Sequence, residues 1–169
     1  MQSKWLIAAA ILAFVSGALH SQPAPGQATA PPKTTAMEAF GKGVQIYSCT
    51  ATAGHYRWIL RAPEATLSDA HGHMLATHFA GPSWQATDGS TVVGELLSSS
   101  PSPDPGAIAW LVLHAKSHAG SGLMANVDYV VRTRTEGGVA PATGCDASHP
   151  GAEVRVPYGA IYLFFPYAG

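Results

Sequence analysis

Charge is scarce in this chain. Only 11% of its 169 residues are Asp, Glu, Lys or Arg, and the nine basic residues face ten acidic ones without forming a run or patch. Nucleic-acid-binding domains carry a basic face, so nucleic acid is not an expected partner. Cysteine is scarcer still, with two residues and no C-x-x-C pair, which argues against cysteine-rich zinc sites and dithiol redox motifs. Enzyme signatures are missing as well. There is no G-x-S-x-G elbow, no H-E-x-x-H, no Walker loop and no pair of nearby carboxylates suited to glycoside chemistry. Gly41-Lys42-Gly43 lacks the third glycine, the βαβ context and the acidic ribose ligand of a dinucleotide fingerprint. No cofactor is implied. A Ser-His-Asp set drawn from distant positions is a matter of geometry and stays open at this level.

What is present begins with an address. Met1–Lys4 is mildly basic, "WLIAAAILAFVSGALH" is apolar but short for a spanning helix, and Ser16-Gly17-Ala18 offers small residues at a cleavage site. Residues 1–21 are therefore expected to be a secretory signal peptide, cut after Ala18 or Ser21, leaving a secreted or periplasmic protein without a membrane span. Residues 22–36, rich in Pro, Ala, Gln and Thr, contain no large apolar residue that could offset their ordering entropy, and are expected to be a flexible linker. Residues 37–169 then form one domain. In an exported chain, Cys49 and Cys145 are most simply one disulfide, with two free buried thiols as the alternative.

The domain reads as strands cut by turn chemistry, with eighteen glycines and thirteen prolines in the whole chain. "VQIYSC" (44–49) and "HYRWIL" (55–60) alternate with period two and are joined by a short hairpin ending in Gly54. "IAWLVLHA" (108–115) is nearly all apolar and predicts a strand buried on both faces. "VDYVVRTRT" (127–135) and "AIYLFF" (160–165) complete the strong candidates. Helical composition is confined to the segment around Met37–Lys42. The expectation is an all-β sandwich or barrel with long loops and at most one short helix.

Two stretches carry candidate sites. "DAHGHMLATHF" holds His71, His73 and His78. His71 and His73 are a metal pair only if they share a strand face. The Asp69–Gly72 turn argues instead that both are solvated. Alternation sets His78 on the small, apolar face of Met74 and Ala76, as a hydrogen-bonded core residue or a ligand. "THFAGPSWQATDGS" parses as strand, corner, strand and an Asp88-Gly89 turn, with Gly94 a possible bulge in the returning strand. Trp84 after the corner is either a core cap with its indole N–H on a backbone carbonyl or a stacking platform for a sugar or other flat ligand.

The order of "GKGVQIYSC", Trp58, "APEATLSD", "THFAGPSWQATDGSTVVG", "AWLVLHA", "TEGGVAPATGC" and "VRVPYGAIYLFF" resembles a family of exported bacterial and fungal proteins described as a domain of unknown function, from about Phe40 to Phe165. The resemblance implies no established activity. A malate dehydrogenase label borne by some fungal relatives finds no nucleotide-binding features here. The leading expectation is a non-enzymatic binding or envelope-associated domain using His78, Trp84 and Asp88, with Tyr47 or Trp58 nearby. Its partner would be an unknown small molecule, a carbohydrate or an envelope component. The alternative is a hydrolase or metal-dependent enzyme centred on His78, and a third is a purely structural envelope protein.

Overall fold

The computed structural model describes residues 36–167. The expected signal peptide (1–21) and all but the last residue of the expected linker (22–36) lie outside them. Eight strands follow in order: β1 (Met37–Thr52), β2 (His55–Ser68), β3 (Met74–Phe79), β4 (Ser83–Ala86), β5 (Thr91–Ser100), β6 (Trp110–Ala119), β7 (Val127–Gly137) and β8 (Glu153–Pro166). Each pairs antiparallel with the one before it, and β8 returns to β1 to close a barrel. Of the two all-β architectures the sequence allows, this is the barrel. Closure rests on a long ladder from Met37↔Phe164 to Ser48↔Glu153.

That ladder corrects the helical expectation around Met37–Lys42. The segment is strand, paired with β8 throughout and with β2 from Phe40 onward, and tertiary pairing overrides its helical composition. Gly41 serves close approach. A Cβ there would lie 2.6 Å from the Tyr162 ring. The second correction concerns "IAWLVLHA". In β6 Leu113 and Ala115 are buried and Val112 and His114 are only half-buried, because a barrel wall has one packed face. The hairpin between β1 and β2 turns at Ala53 and Gly54, both with positive φ, as a tight two-residue turn requires.

The inward positions of all eight strands make one core, which includes Ala39, Leu67, Ala76, Trp84, Val92, Leu113, Val130, Tyr162 and Phe164. The two ends differ. At one end Asp88 gathers the loops. Its carboxylate accepts from Ser90 N (2.9 Å), Ser90 Oγ (2.5 Å) and, across to the β6–β7 loop, Leu123 N (2.8 Å). Ser90 Oγ then accepts from Met124 N at 3.0 Å, and the fully buried Met124 fills this end.

At the other end the β7–β8 loop is strapped over β1 and β2. Cys49 and Cys145 form a disulfide with Cα atoms 5.2 Å apart. Tyr47 Oη donates to Gly138 O (2.6 Å), and Trp58 Nε1 donates to Thr143 O (3.0 Å). The wall is low beside this strap. β3 covers β2 only from Ala65 to Ser68, and β4 covers β5 only from Thr91 to Val93. The rest of β2 and β5 face each other across a notch.

Candidate functional site

The notch opens into the barrel. Behind it lies a cavity of about 280 Å³, lined among others by Gln45, Leu60, Pro63, His78, Pro82, Trp84, Leu96, Leu113, Arg132 and Tyr162. Eight-stranded barrels have interiors that side chains just fill or that hold one small ligand. This interior does both, packed at the Met124 end and hollow towards the notch. A larger groove of about 570 Å³ runs along the outer wall beside Lys42, Arg134 and Glu136, but it is shallow and brings no buried polar cluster together.

The sequence makes the notch locally. Gly81, at φ +82°, turns the chain after six residues of β3, so β3 and β4 are too short to reach the rim. Each edge they leave bare carries a bulge. Ile46 pairs with Ala62 and Tyr47 with Leu60, which leaves Arg61 as the extra residue of β2. Leu96 pairs with Leu113 and Ser98 with Val112, which leaves Leu97 as the extra residue of β5. Bulges of this kind blunt an unpaired edge against further strand addition. Leu60 and Leu96, about half-exposed, form an apolar lip.

His78 and Trp84 are direct partners across the β3–β4 ladder. Their rings stack at 4.5 Å, 3° from parallel, and Tyr162 meets both edge-on at 5.4 and 5.9 Å. Gly94, at a register shift in β5, leaves room for the indole, since a Cβ there would sit 3.2 Å from it. His78 Nδ1 lies 2.9 Å from Ser83 O. A carbonyl only accepts, so Nδ1 carries the proton. Burial pushes the imidazole down to about 4, the Ser83 carbonyl opposing and the Arg132 charge assisting, so at neutral pH Nε2 is unprotonated. Trp84 departs from one expectation: its buried Nε1 has no hydrogen-bond partner, on a carbonyl or elsewhere.

The other expected site residues lie apart. Tyr47 and Trp58 hold the strap, and Trp58 is the cross-strand partner of Cys49. Asp88 ties the opposite end together. His71 and His73 sit on the β2–β3 turn, where Asp69 Oδ1 accepts from both backbone amides and Asp69 Oδ2 lies 3.0 Å from His73 Nδ1. The Asp69–Gly72 turn forms with Gly72 N donating to Asp69 O at 3.1 Å. No group of three or more His, Cys, Asp or Glu side chains able to hold a metal occurs among the described residues.

Residues 30–166 match the family described as "Protein of unknown function (DUF3455)". The chain belongs to the DUF3455 family. The match takes in every strand of the barrel, so cavity, strap and closed end are all part of the DUF3455 unit. No curated protein and no solved structure matches the chain significantly.

Three residues that matter to the cavity escape a reading of motifs. Arg132 pairs across the ladders with Tyr162 in β8 and Leu111 in β7's other neighbour, β6, which sets its side chain in the inner wall. Its Nε and Nη2 donate to Ala109 O at 3.1 and 2.8 Å. Gln45, 1% exposed, keeps Nε2 without a partner. Tyr162 is fully buried, its hydroxyl 3.1 Å from that of Tyr158, and burial raises the pKa of both phenols. The available signal was phase. Gln45 is in phase with Tyr47, and Arg132 with Val130.

Proposed function

We propose that this protein is an exported binding protein that holds one small, mostly apolar molecule inside its barrel without altering it covalently. The observation that carries this reading is the cavity itself: about 280 Å³ with a leucine lip and an aromatic floor. At about 30 Å³ per water, that is the space of roughly nine waters. It suits a ligand of similar heavy-atom count, most of whose contacts would be with leucine, proline and the Trp84 ring.

Binding is favoured over hydrolysis at His78 by what surrounds the ring. The cavity lining offers no serine, threonine, cysteine or carboxylate. His78 gives its Nδ1 proton to a backbone carbonyl rather than to the carboxylate that orients a catalytic imidazole. Export is favoured by the N-terminal signal grammar and agrees with the Cys49–Cys145 disulfide, since such bonds persist in oxidising compartments.

The test uses mature protein and 1-naphthylamine, a neutral apolar fluorophore close to the cavity in size. Wild-type protein is expected to take up one equivalent with a saturable rise in fluorescence. Leu96→Trp, which adds bulk at the exposed lip, is expected to block uptake without changing the melting temperature. No saturable uptake of this dye or of 1-octanol by the wild type sinks the reading. The export half is tested separately by intact mass, which should show a chain beginning at residue 19 or 22.

A further inference from the structure

We propose that the molecule held in the barrel is a monocarboxylate, with an apolar body and an anionic head received by Arg132. This rests on the reading of the cavity as a ligand site and adds the charge of what fills it.

The cavity lining contains two guanidinium groups, Arg61 and Arg132, and no Asp or Glu. All ten carboxylate side chains of the sequence fall among the described residues, yet none forms an ion pair with either arginine. Glu64, next in sequence to the cavity-lining Pro63, is engaged with Arg155 at 2.7 Å. Arg132 spends two nitrogens on one carbonyl, that of Ala109. A guanidinium has five N–H donors; the Tyr162 hydroxyl is a further neighbour of Arg132, which still leaves it donors to spare.

The groups around Arg132 do not supply the missing anion. His78 is neutral at pH 7, and the hydroxyls of Tyr158 and Tyr162 share one hydrogen bond and stay neutral phenols. A half-buried cation without a counter-charge is an unfavourable arrangement that a bound anion relieves. Two further donors lack acceptors among the lining residues, Trp84 Nε1 and Gln45 Nε2, both on side chains 1% exposed. A site with surplus donors suits a ligand head that only accepts, which describes a carboxylate. The volume limits the body to about the size of an eight-carbon chain or a small ring system. One interior guanidinium, with Arg61 out at the rim, matches a single negative charge better than a phosphate dianion.

The competing account gives Arg132 a purely structural job, clamping Ala109. Calorimetric titration of mature protein with octanoate and with 1-octanol separates the two. Octanoate is expected to bind at least tenfold more tightly than 1-octanol. Arg132→Met should erase that preference while keeping 1-octanol binding, and Arg132→Lys should keep part of it. Should Arg132→Met fail to fold, ¹³C NMR of carboxyl-labelled octanoate on the wild type decides. A bound carboxyl titrating below the free acid supports the contact with Arg132, and one titrating above it overturns the contact. Equal affinity for octanoate and octanol overturns the proposal but leaves the binding reading standing. If neither ligand enters, both fall together.

Discussion

The two ends of the barrel solve the same problem in opposite ways. At the Met124 end, Asp88 Oδ1 accepts from Ser90 in its own turn, Oδ2 accepts from Leu123 of the β6–β7 loop, and a fully buried side chain closes the space. At the notch end the strands stop short, two bulges blunt the bare edges, and buried donors at Trp84 and Gln45 stay unpaired. Buried polar groups in folded proteins are nearly always paired, and an orphan costs about 1–3 kcal/mol. One end is arranged for stability. The other carries a deficit that a partner could remove, and its loop is strapped by a disulfide and two side-chain hydrogen bonds.

The strap gives the largest expected effect. Cys49→Ser together with Cys145→Ser opens a 96-residue separation and should cost about 4–5 kcal/mol in the chain-entropy picture, read by urea denaturation. A loss near zero would mean that Tyr47 and Trp58 alone fix the loop. Met124→Ala makes the closed end resemble the open one. It is expected to cost about 3.5 kcal/mol through lost burial and a residual cavity. A much smaller loss would mean that the hydrogen-bonded loops close this end without the side chain.

Acid separates the ends by pH window. The unfolded imidazole of His78 titrates near 6.5 and the buried one at about 4. As pH falls the unfolded chain therefore takes up the proton first, so stability is lost between about 6.5 and 4, by roughly 3 kcal/mol in all. Asp88 behaves differently. The Ser90 hydroxyl first, then the Leu123 and Ser90 amides, hold its pKa down. Its contribution is present above the ordinary carboxylate range and is lost only at lower pH. His78→Phe should flatten the stability profile between pH 6.5 and 4 and leave the more acidic limb intact. An unchanged slope there would assign the sensitivity to another group. Smallest of all, Leu96→Ala at the half-exposed lip is expected to move stability by less than about 0.5 kcal/mol, while widening the mouth enough to admit bulkier dyes.

What could be read in advance follows the range of the interaction. The His78–Trp84 neighbourhood was legible because Gly81-Pro82 and Asp88-Gly89 fix a local hairpin, and alternation sets both residues on its inner side. The two cysteines were legible because a lone, widely spaced pair behind a signal-like N-terminus is most simply one disulfide. Barrel closure was not, because β1 meets β8 more than a hundred residues later, and composition around Met37 resembles a helix as much as a strand. Arg132 was hidden for a related reason. Its phase with Val130 gives a side of the strand, but only the assembled barrel decides that this side faces inward and that no carboxylate waits there.

The ladder between β1 and β8 also has a consequence in time. The barrel's β1 must wait for β8 before the sheet can close, so the slowest step of folding should be the joining of these two strands. Until then β1 offers an open edge to any other nascent strand. Cys49 lies in β1 and Cys145 just ahead of β8, so oxidation before closure would already hold the two halves of that seam near each other. Refolding of the oxidised chain should therefore outpace that of the reduced one.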